Sequence, residues 1–260
     1  MRQFSASTQS SKTWKEASFI GKIHTTTRGP CNWRERLGDP QTHWKREASA
    51  METAVSWEVG SRSPGGLPRP ISNLFSQSEF GESWLLLAVA EHKVDLRGTG
   101  GASQCDVWAL VRSEAGVVSL AVEAKAQESF GAGNETLSEW LLSGTSPGSK
   151  ENRKLRRDHL LECLPLTTNG GYGNVSYQIL QRCAAAVIEA RRFGLRHAAF
   201  VVQSFHCPAK SFEMFALFCE AVKAPAERGQ MVFTDAEGIR LGIGWAECEF
   251  ATHAEMASLI

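Results

Sequence analysis

The stretch SQCDVWALVRSEAGVVSLAVEAK, residues 103–125, decides the fold. It contains two apolar runs, SQCDVWALV and VVSLAVEAK, which stand on either side of the short polar segment Ser113-Glu114-Ala115-Gly116. Two such runs joined by a short loop that ends in glycine indicate a β-hairpin. Both runs are apolar on both faces near their middles, which is typical of central strands covered by helices on each side.

The hairpin brings two acidic residues together. If Arg112 pairs with Val117 across the loop, the same register places Asp106 opposite Glu123. Directly opposed residues in an antiparallel pair have β-carbons roughly 4.5–5.5 Å apart. Lys125 then lies on the same face as Glu123, one pleat further along the strand. The inference depends on this register, because a slip of one residue would turn Asp106 away from Glu123.

Two neighbouring carboxylates and a lysine are suited to phosphodiester hydrolysis. The carboxylates repel each other unless a proton or a cation lies between them. Oxygen ligands suit a hard divalent ion such as Mg²⁺ or Mn²⁺, which polarises a phosphate and activates its bound water. A lysine ammonium beside the ion stabilises developing negative charge. We therefore predict Asp106 and Glu123 as metal ligands and Lys125 as a catalytic residue; the alternative is an ordinary solvated strand face.

The remaining patterns place helices around this hairpin. We predict two short helices within residues 33–58, further helices over 83–91, 134–143, 150–164, 175–194 and 211–222, a strand over 197–205, and short strands in QMVFT and IRLGIGWAE. Residues 1–30 are predicted to form a flexible arm, residues 31–70 a helical extension and connector, and residues 71–260 the core. This order favours an α/β fold with a mixed central β-sheet flanked by helices.

Composition excludes several classes of protein. The formal net charge is +0, so any affinity for nucleic acid must come from a local patch. No apolar run approaches the roughly 18 residues of a transmembrane helix, so we expect no membrane association. The seven cysteines lack the spacing of a zinc knuckle, which is typical of reduced thiols in a cytoplasmic protein.

The arrangement of Asp106, Glu123 and Lys125 resembles that of the PD-(D/E)XK nuclease superfamily, which has a restriction-endonuclease-like core. The chain is more closely similar to a bacterial family of uncharacterised proteins assigned to that superfamily. The segments that carry this likeness are DPQTHWKREASAMETAVSWE, AEHKVDLRG, SQCDVWAL, VEAKAQESFG and SYQILQRCAAAVIEARRFG. The chain has Ala124 where that family has glycine and Cys105 where the superfamily often has proline. Both side chains are expected to face away from the site.

The resemblance implies a metal-dependent nuclease that acts on DNA rather than RNA, with Mg²⁺ or Mn²⁺ as cofactor. It adds Glu91, at the end of the helix before the hairpin, as a metal ligand beside Asp106 and Glu123; the alternative is an ordinary helix-end glutamate. It also implies a supporting catalytic role for Gln178. Because Gln178 and Arg182 are four residues apart on the long helix, we expect both to border the site.

One cluster of basic residues could contact a phosphate backbone. The predicted nucleic-acid-binding residues are Lys150, Arg153, Lys154, Arg156, Arg157 and Arg182. The alternative for the cluster at 150–157 is a solvated helix face. A second hypothesis for the whole chain is a catalytically silent nuclease-fold protein that binds nucleic acid or a protein partner, which the neutral net charge favours. A homodimer is an open alternative to a single chain.

Overall fold

The structure is a computed structural model that describes residues 29–130, 136–166 and 171–259. Within these ranges one sheet is built from β1 (Ser83–Val94), β2 (Ser103–Ser113), β3 (Gly116–Ala126), β4 (His197–Phe205), β5 (Met231–Asp235) and β6 (Arg240–Cys248). Its order is β1-β2-β3-β4-β6-β5. The β3–β4 and β4–β6 pairs are parallel and the other pairs are antiparallel. The predicted α/β fold with a mixed central sheet is confirmed.

Helices cover both faces of the sheet. Four precede it: α1 (Pro30–Arg34), α2 (Pro40–His43), α3 (Ser49–Ser61) and α4 (Arg69–Ser76). The others are α5 (Leu137–Leu142), α6 (Pro147–Cys163), α7 (Tyr177–Arg192), α8 (Ala209–Ala221) and α9 (His253–Ser258). Residues of α6, α7 and α8 pack in one core with one face of the sheet, whereas α3 and α4 pack with the opposite face.

Some predicted segments lie outside the described ranges. They are residues 1–28 of the predicted arm, the first two residues of the helix predicted over 134–143, and residues 131–133, 167–170 and 260 of the predicted core. Within the described ranges, none of the helices has the length and apolar character needed to cross a membrane. All seven cysteines lie in these ranges and are free thiols.

The hairpin forms in the predicted register. Arg112 pairs with Val117, and the ladder continues without a shift to Val107 opposite Val122. The turn ends at Gly116, whose φ of 128° lies in the region that favours glycine. On its other side, β3 pairs in parallel with β4, so β3 is a central strand with helices on both faces.

The helix predicted over residues 83–91 is wrong, because this segment is the edge strand β1. Its sequence, SWLLLAVAE, is rich in leucine and alanine, which are strong helix formers, and a short apolar run does not distinguish a strand from a buried helix. A bulge between Leu85 and Leu87 also interrupts the alternation expected of a strand. Pairing with β2 outweighs the local helix propensity.

The N-terminal extension is part of the main core. In α3, the buried Trp57 donates a hydrogen bond from Nε1 to Oε1 of Gln203 in β4, at 3.1 Å. The amide of Gln203 donates in turn to Ser56 Oγ at 2.9 Å. Glu52, which is 1% exposed, accepts a hydrogen bond from the backbone N–H of Ala251 at 2.7 Å. These contacts join the first helices to the last part of the chain.

Candidate functional site

Glu123 is the centre of a buried polar cluster. It is 2% exposed, and both of its carboxylate oxygens are engaged. Oε1 lies 3.0 Å from Lys125 Nζ and accepts a hydrogen bond from Gln178 Nε2 at 2.5 Å. Oε2 accepts a hydrogen bond from Arg182 Nε at 2.8 Å. One carboxylate therefore binds two cations and an amide.

Strand alternation and helical periodicity explain why these side chains meet. Glu123 and Lys125 point to the face of β3 that α7 covers, while Val122 and Ala124 pack in the core on the opposite face. Gln178 and Arg182 lie one turn apart in α7 and reach the two oxygens of Glu123. Both side chains of this helix face therefore contact Glu123.

Asp106 and Glu91 lie next to Glu123 across the sheet. Asp106 is the next residue of β2 beyond the Val107–Val122 pair, and its Oδ2 accepts a hydrogen bond from the backbone N–H of Ala124 at 2.6 Å. Glu91 lies between two residues of β1 that pair with the neighbours of Asp106. Three acidic residues are thus consecutive across three strands.

Glu91 lies in a strand rather than at the end of a helix, which corrects the predicted location. Its φ of 54° is in the left-handed region, which non-glycine residues adopt infrequently. The kink falls between Ala90 and His92, which both keep their pairing with β2. Gln104 Nε2 donates a hydrogen bond to Glu91 Oε2 at 2.5 Å and fixes the carboxylate.

The three carboxylates differ in how well they are neutralised. Burial alone would raise the pKa of Glu123, but the charges and hydrogen bonds of Lys125 and Arg182 outweigh it and lower this pKa. Burial, together with the charges of Glu123 and Glu91, raises the pKa of Asp106 well above its usual range. Burial also raises the pKa of Glu91. Burial and mutual repulsion thus favour the protonated forms of Asp106 and Glu91, whereas Lys125 and Arg182 keep Glu123 ionised.

This difference in ionisation bears on whether a metal would fit. A hard divalent cation fits the oxygen chemistry of Asp106, Glu91 and Glu123, and its charge would favour the ionised form of Asp106. In the described part of the chain, no group of three or more His, Cys, Asp or Glu side chains is placed to hold a metal ion. Both oxygens of Glu123 also already accept hydrogen bonds, from Gln178 and Arg182. Metal binding would require exchange of some of these partners.

Lys125 is the buried cation of the cluster. Its residue is 8% exposed, and Nζ also lies 4.0 Å from Glu128 Oε1. Burial would lower its pKa, but the carboxylates of Glu123 and Asp106 raise it overall. Lys125 therefore carries its charge at neutral pH and holds it beside the two acids.

The predicted basic cluster does not form one continuous surface. Lys150 and Lys154 are exposed on α6, and Arg157 pairs with its neighbour Asp158. Arg156 is 6% exposed and donates from Nη2 to the carbonyl oxygen of Gly101 at 2.5 Å, so its guanidinium is not presented to solvent. The remaining members are Arg153, which contacts α5 through Trp140 and Ser143, and Arg182, which is bound to Glu123.

Two residues of the site were missed by sequence reasoning. Gln104 holds Glu91, and Ser103 Oγ accepts a hydrogen bond from Arg182 Nη1 at 2.7 Å. Both residues lie just before Asp106 on the same strand, and this position could have identified them as neighbours of the site. Ala124 faces the opposite core as expected, but Cys105 packs in the core on the α7 face, because the kinked ladder at Glu91 changes the alternation.

The geometry can be compared with known proteins. Curated proteins gave no match to this chain, and solved structures gave none either. A family model described as a domain of unknown function (DUF6946) matches residues 26–250, and the chain therefore belongs to that family.

Proposed function

We propose that this protein is a divalent-metal-dependent nuclease that hydrolyses phosphodiester bonds, with DNA as its substrate. The observation that carries the proposal is the charged, buried Lys125 at 3.0 Å from Glu123, beside Asp106, whose pKa is raised well above its usual range by burial and by the charges of Glu123 and Glu91. This combination meets the needs of phosphodiester hydrolysis, in which negative charge develops beside a positioned water. The resemblance of Asp106, Glu123 and Lys125 to the PD-(D/E)XK arrangement supports the same reaction class.

Each residue has a distinct role in this proposal. Asp106, Glu123 and Glu91 would hold the metal, which supplies Lewis-acid activation of the phosphate and of its bound water. The Lys125 ammonium orients the attacking water and stabilises the negative charge on the phosphate oxygens. Gln178 fixes the orientation of the Glu123 carboxylate through its hydrogen bond of 2.5 Å.

Cleavage assays test the proposal directly. The protein should degrade plasmid or linear single-stranded DNA in Mg²⁺ or Mn²⁺, and Lys125→Met or Asp106→Asn should reduce the rate by about 100-fold or more. Glu189→Gln is the matched control, since Glu189 is a buried acid of α7 that pairs with His92 and Arg192. Absence of cleavage, or cleavage that survives both site variants, would refute the proposal.

A second candidate is a nuclease-fold protein that binds nucleic acid or a partner without cutting. The observation that favours it is the full occupation of both Glu123 oxygens by Lys125, Gln178 and Arg182. A thermal shift with Mn²⁺ separates the two candidates, because a ligand at 100 times its Kd stabilises a protein by about 2.7 kcal/mol. A shift that disappears in Asp106→Asn supports the nuclease, and no shift supports the binding module.

We also propose that the protein is cytoplasmic. Its seven cysteines are free thiols, and five of them are buried. Reduced thiols of this kind are typical of a compartment in which glutathione and thioredoxin prevent disulfide formation.

A further inference from the structure

The strand β1 has the sequence of an interior strand but lies at the edge of the sheet. Its run over residues 84–90, WLLLAVA, is apolar at every position and carries no charge. Continuous apolar runs of this kind are typical of strands that have cover on both faces and a neighbour on each side. In the structure, β1 is first in the strand order and pairs with β2 alone. Among the described residues, no strand lies along its other side.

The outer edge of β1 is covered at its start and bare after it. The backbone N–H of Leu85 donates to the carbonyl oxygen of Gly65 at 2.8 Å, so the loop between α3 and α4 closes this point. Within the described ranges, this is the one backbone hydrogen bond that reaches β1 from outside its ladder with β2. After a bulge between Leu85 and Leu87, the register with β2 runs unshifted from Leu87 to Ala90. This part of the strand therefore presents unpaired backbone donors and acceptors on its outer side.

The apolar side chains along this edge are incompletely covered. Four side chains of β1 are exposed or half-buried and belong to neither of the two cores: Trp84, Leu86, Leu87 and Val89. Leu86 is 53% exposed. Phe193 at the end of α7, which is 43% exposed, extends this apolar surface, because its ring stacks on Trp108, the β2 partner of Val89. The edge thus combines unpaired backbone groups with apolar side chains in contact with solvent.

The opposite edge of the sheet is built differently. Natural edge strands avoid association by being short or by carrying charge. The strand β5 has five residues and ends at the exposed Asp235. Its Phe233 ring lies under the guanidinium of Arg240, with Cζ 5.0 Å from the ring centroid. In contrast, β1 has 12 residues, and its first charged side chain is Glu91, the ninth of them.

We propose that β1 pairs with the β1 strand of a second copy of this chain, in a two-fold homodimer. A two-fold axis normal to the sheet makes the two strands antiparallel, so that each edge supplies the hydrogen-bond partners of the other. A second copy suits this edge because the uncharged run over residues 84–90 places no like charges opposite each other. The pairing makes β1 the interior strand that its sequence indicates.

The dimer fixes how the two candidate sites are arranged. Rotation about an axis normal to the sheet keeps each face of the sheet on its own side. The two α7 helices, which lie on one face of the sheet in each copy, therefore lie on the same side of the doubled sheet, and so do the two Glu123 clusters. The inference does not depend on the proposed nuclease, because it uses only the edge of the sheet.

Sedimentation velocity of the full chain tests the pairing. The expected species has twice the chain mass of 28.5 kDa. Leu86→Lys places a charge on the paired edge of both copies and should raise the dissociation constant of the dimer by about 100-fold or more. Leu217→Lys is the matched control, since Leu217 is 49% exposed but lies on α8, and this variant should remain a dimer. Circular dichroism shows whether each variant is folded.

Hydrogen exchange of the unmodified chain, resolved by residue, provides a second measurement that needs no variant. In an antiparallel edge strand, alternate amides point away from the neighbouring strand and exchange quickly, whereas every amide of an interior strand is bonded. Residues 87–90 should therefore all be protected at concentrations at which sedimentation shows the dimer. The other edge strand, β5, should show alternating protection.

The outcomes decide between pairing at β1 and other arrangements. The mass of one chain at every concentration would overturn the inference, and so would a dimer that persists in folded Leu86→Lys. Alternating protection over residues 87–90 in the dimer would show that the copies associate elsewhere. Uniform protection of these amides, together with a dimer that Leu86→Lys dissociates and Leu217→Lys does not, would support the pairing whether or not the protein cuts DNA.

Discussion

The substitution Glu123→Gln tests whether the central carboxylate holds the cluster together. It leaves the shape of the side chain almost unchanged but removes the negative charge that neutralises Lys125 and Arg182. Removing one partner of a buried ion pair costs about 3–5 kcal/mol, because the other charge remains buried. The side chains of Lys125 and Arg182 are 10% and 13% exposed, so both cations keep a little contact with solvent. The oxygen of the new glutamine also still accepts one hydrogen bond. We therefore expect Glu123→Gln to lower the free energy of unfolding by about 3 kcal/mol, the lower end of this range.

Urea unfolding followed by circular dichroism measures this loss. For a chain of this size, a loss of about 3 kcal/mol corresponds to a fall in Tm of roughly 6–12 °C. Glu189→Gln is the control, since Glu189 is 1% exposed but contacts His92 and Arg192 only at 3.4 Å, and Arg192 is 31% exposed. Because Arg192 is partly solvated, Glu189→Gln should lower the free energy of unfolding by only about 1 kcal/mol. A loss at Glu123 no larger than at Glu189 would refute the reasoning.

The same substitution has a defined pH dependence. The pKa of Glu123 is lowered in the folded protein from an ordinary value of 4.5, so its carboxylate stabilises the fold above that pH. This contribution is lost as the pH falls through the folded-state pKa. The difference in unfolding free energy between wild type and Glu123→Gln should therefore be complete at neutral pH and shrink below pH 4.5. A difference that grows as the pH falls would contradict the assigned ion pairs.

The remaining predictions concern stability and are measured by urea unfolding. Asp106→Asn should stabilise the metal-free protein by about 1 kcal/mol at neutral pH, because it removes a carboxylate whose pKa is raised by burial and by neighbouring acids. The gain should disappear below pH 3.8, where the carboxyl is protonated in both states, and a gain that persists there would have another cause. Arg156→Met should cost about 2 kcal/mol through the lost hydrogen bond to Gly101, whereas Lys154→Ala should stay within about 0.5 kcal/mol; equal effects would mean that Arg156 is not structural. Gly60→Ala should cost about 1–3 kcal/mol, because its Cβ would lie 2.6 Å from the backbone nitrogen of Pro68, and a neutral result would show that the connector shifts easily.

The hairpin could be predicted because its information is local. The loop ending at Gly116 favours the register in which Arg112 pairs with Val117, and this register places Asp106 beside Glu123. The spacing of Gln178 and Arg182 is also local, since one helical turn puts them on one face. The sequence could therefore indicate both sides of the Glu123 cluster, although the segments are far apart in the chain.

The identity of β1 could not be predicted because it depends on a distant partner. Leucine and alanine between Ser83 and Ala90 favour a helix, and only pairing with β2 makes the segment a strand. The left-handed backbone of Glu91 lies within the same ladder, between two residues that pair with β2, and no local pattern indicates it. Glu91 was therefore predicted as a site residue at the end of a helix, whereas it lies in a strand.

The sequence also could not indicate which of the basic side chains are buried. Arg156 and Lys154 belong to the same basic run, yet one binds the Gly101 carbonyl and the other is exposed. The difference depends on how α6 rotates against α7 and on the loop after β1. Periodicity shows that the two side chains point in different directions, but it does not show which direction is inward.

The bond between Trp57 and Gln203 has a consequence for how the chain folds. Its partners are 146 residues apart in sequence, and the contact between Glu52 and Ala251 spans 199 residues. During synthesis, α3 must therefore wait until residue 251 has been made before it can complete its packing. Contacts of such long range slow folding and prolong the exposure of apolar surface. Refolding should be slow, and substitutions in α3 should lower the yield of folded protein more than their effect on equilibrium stability suggests.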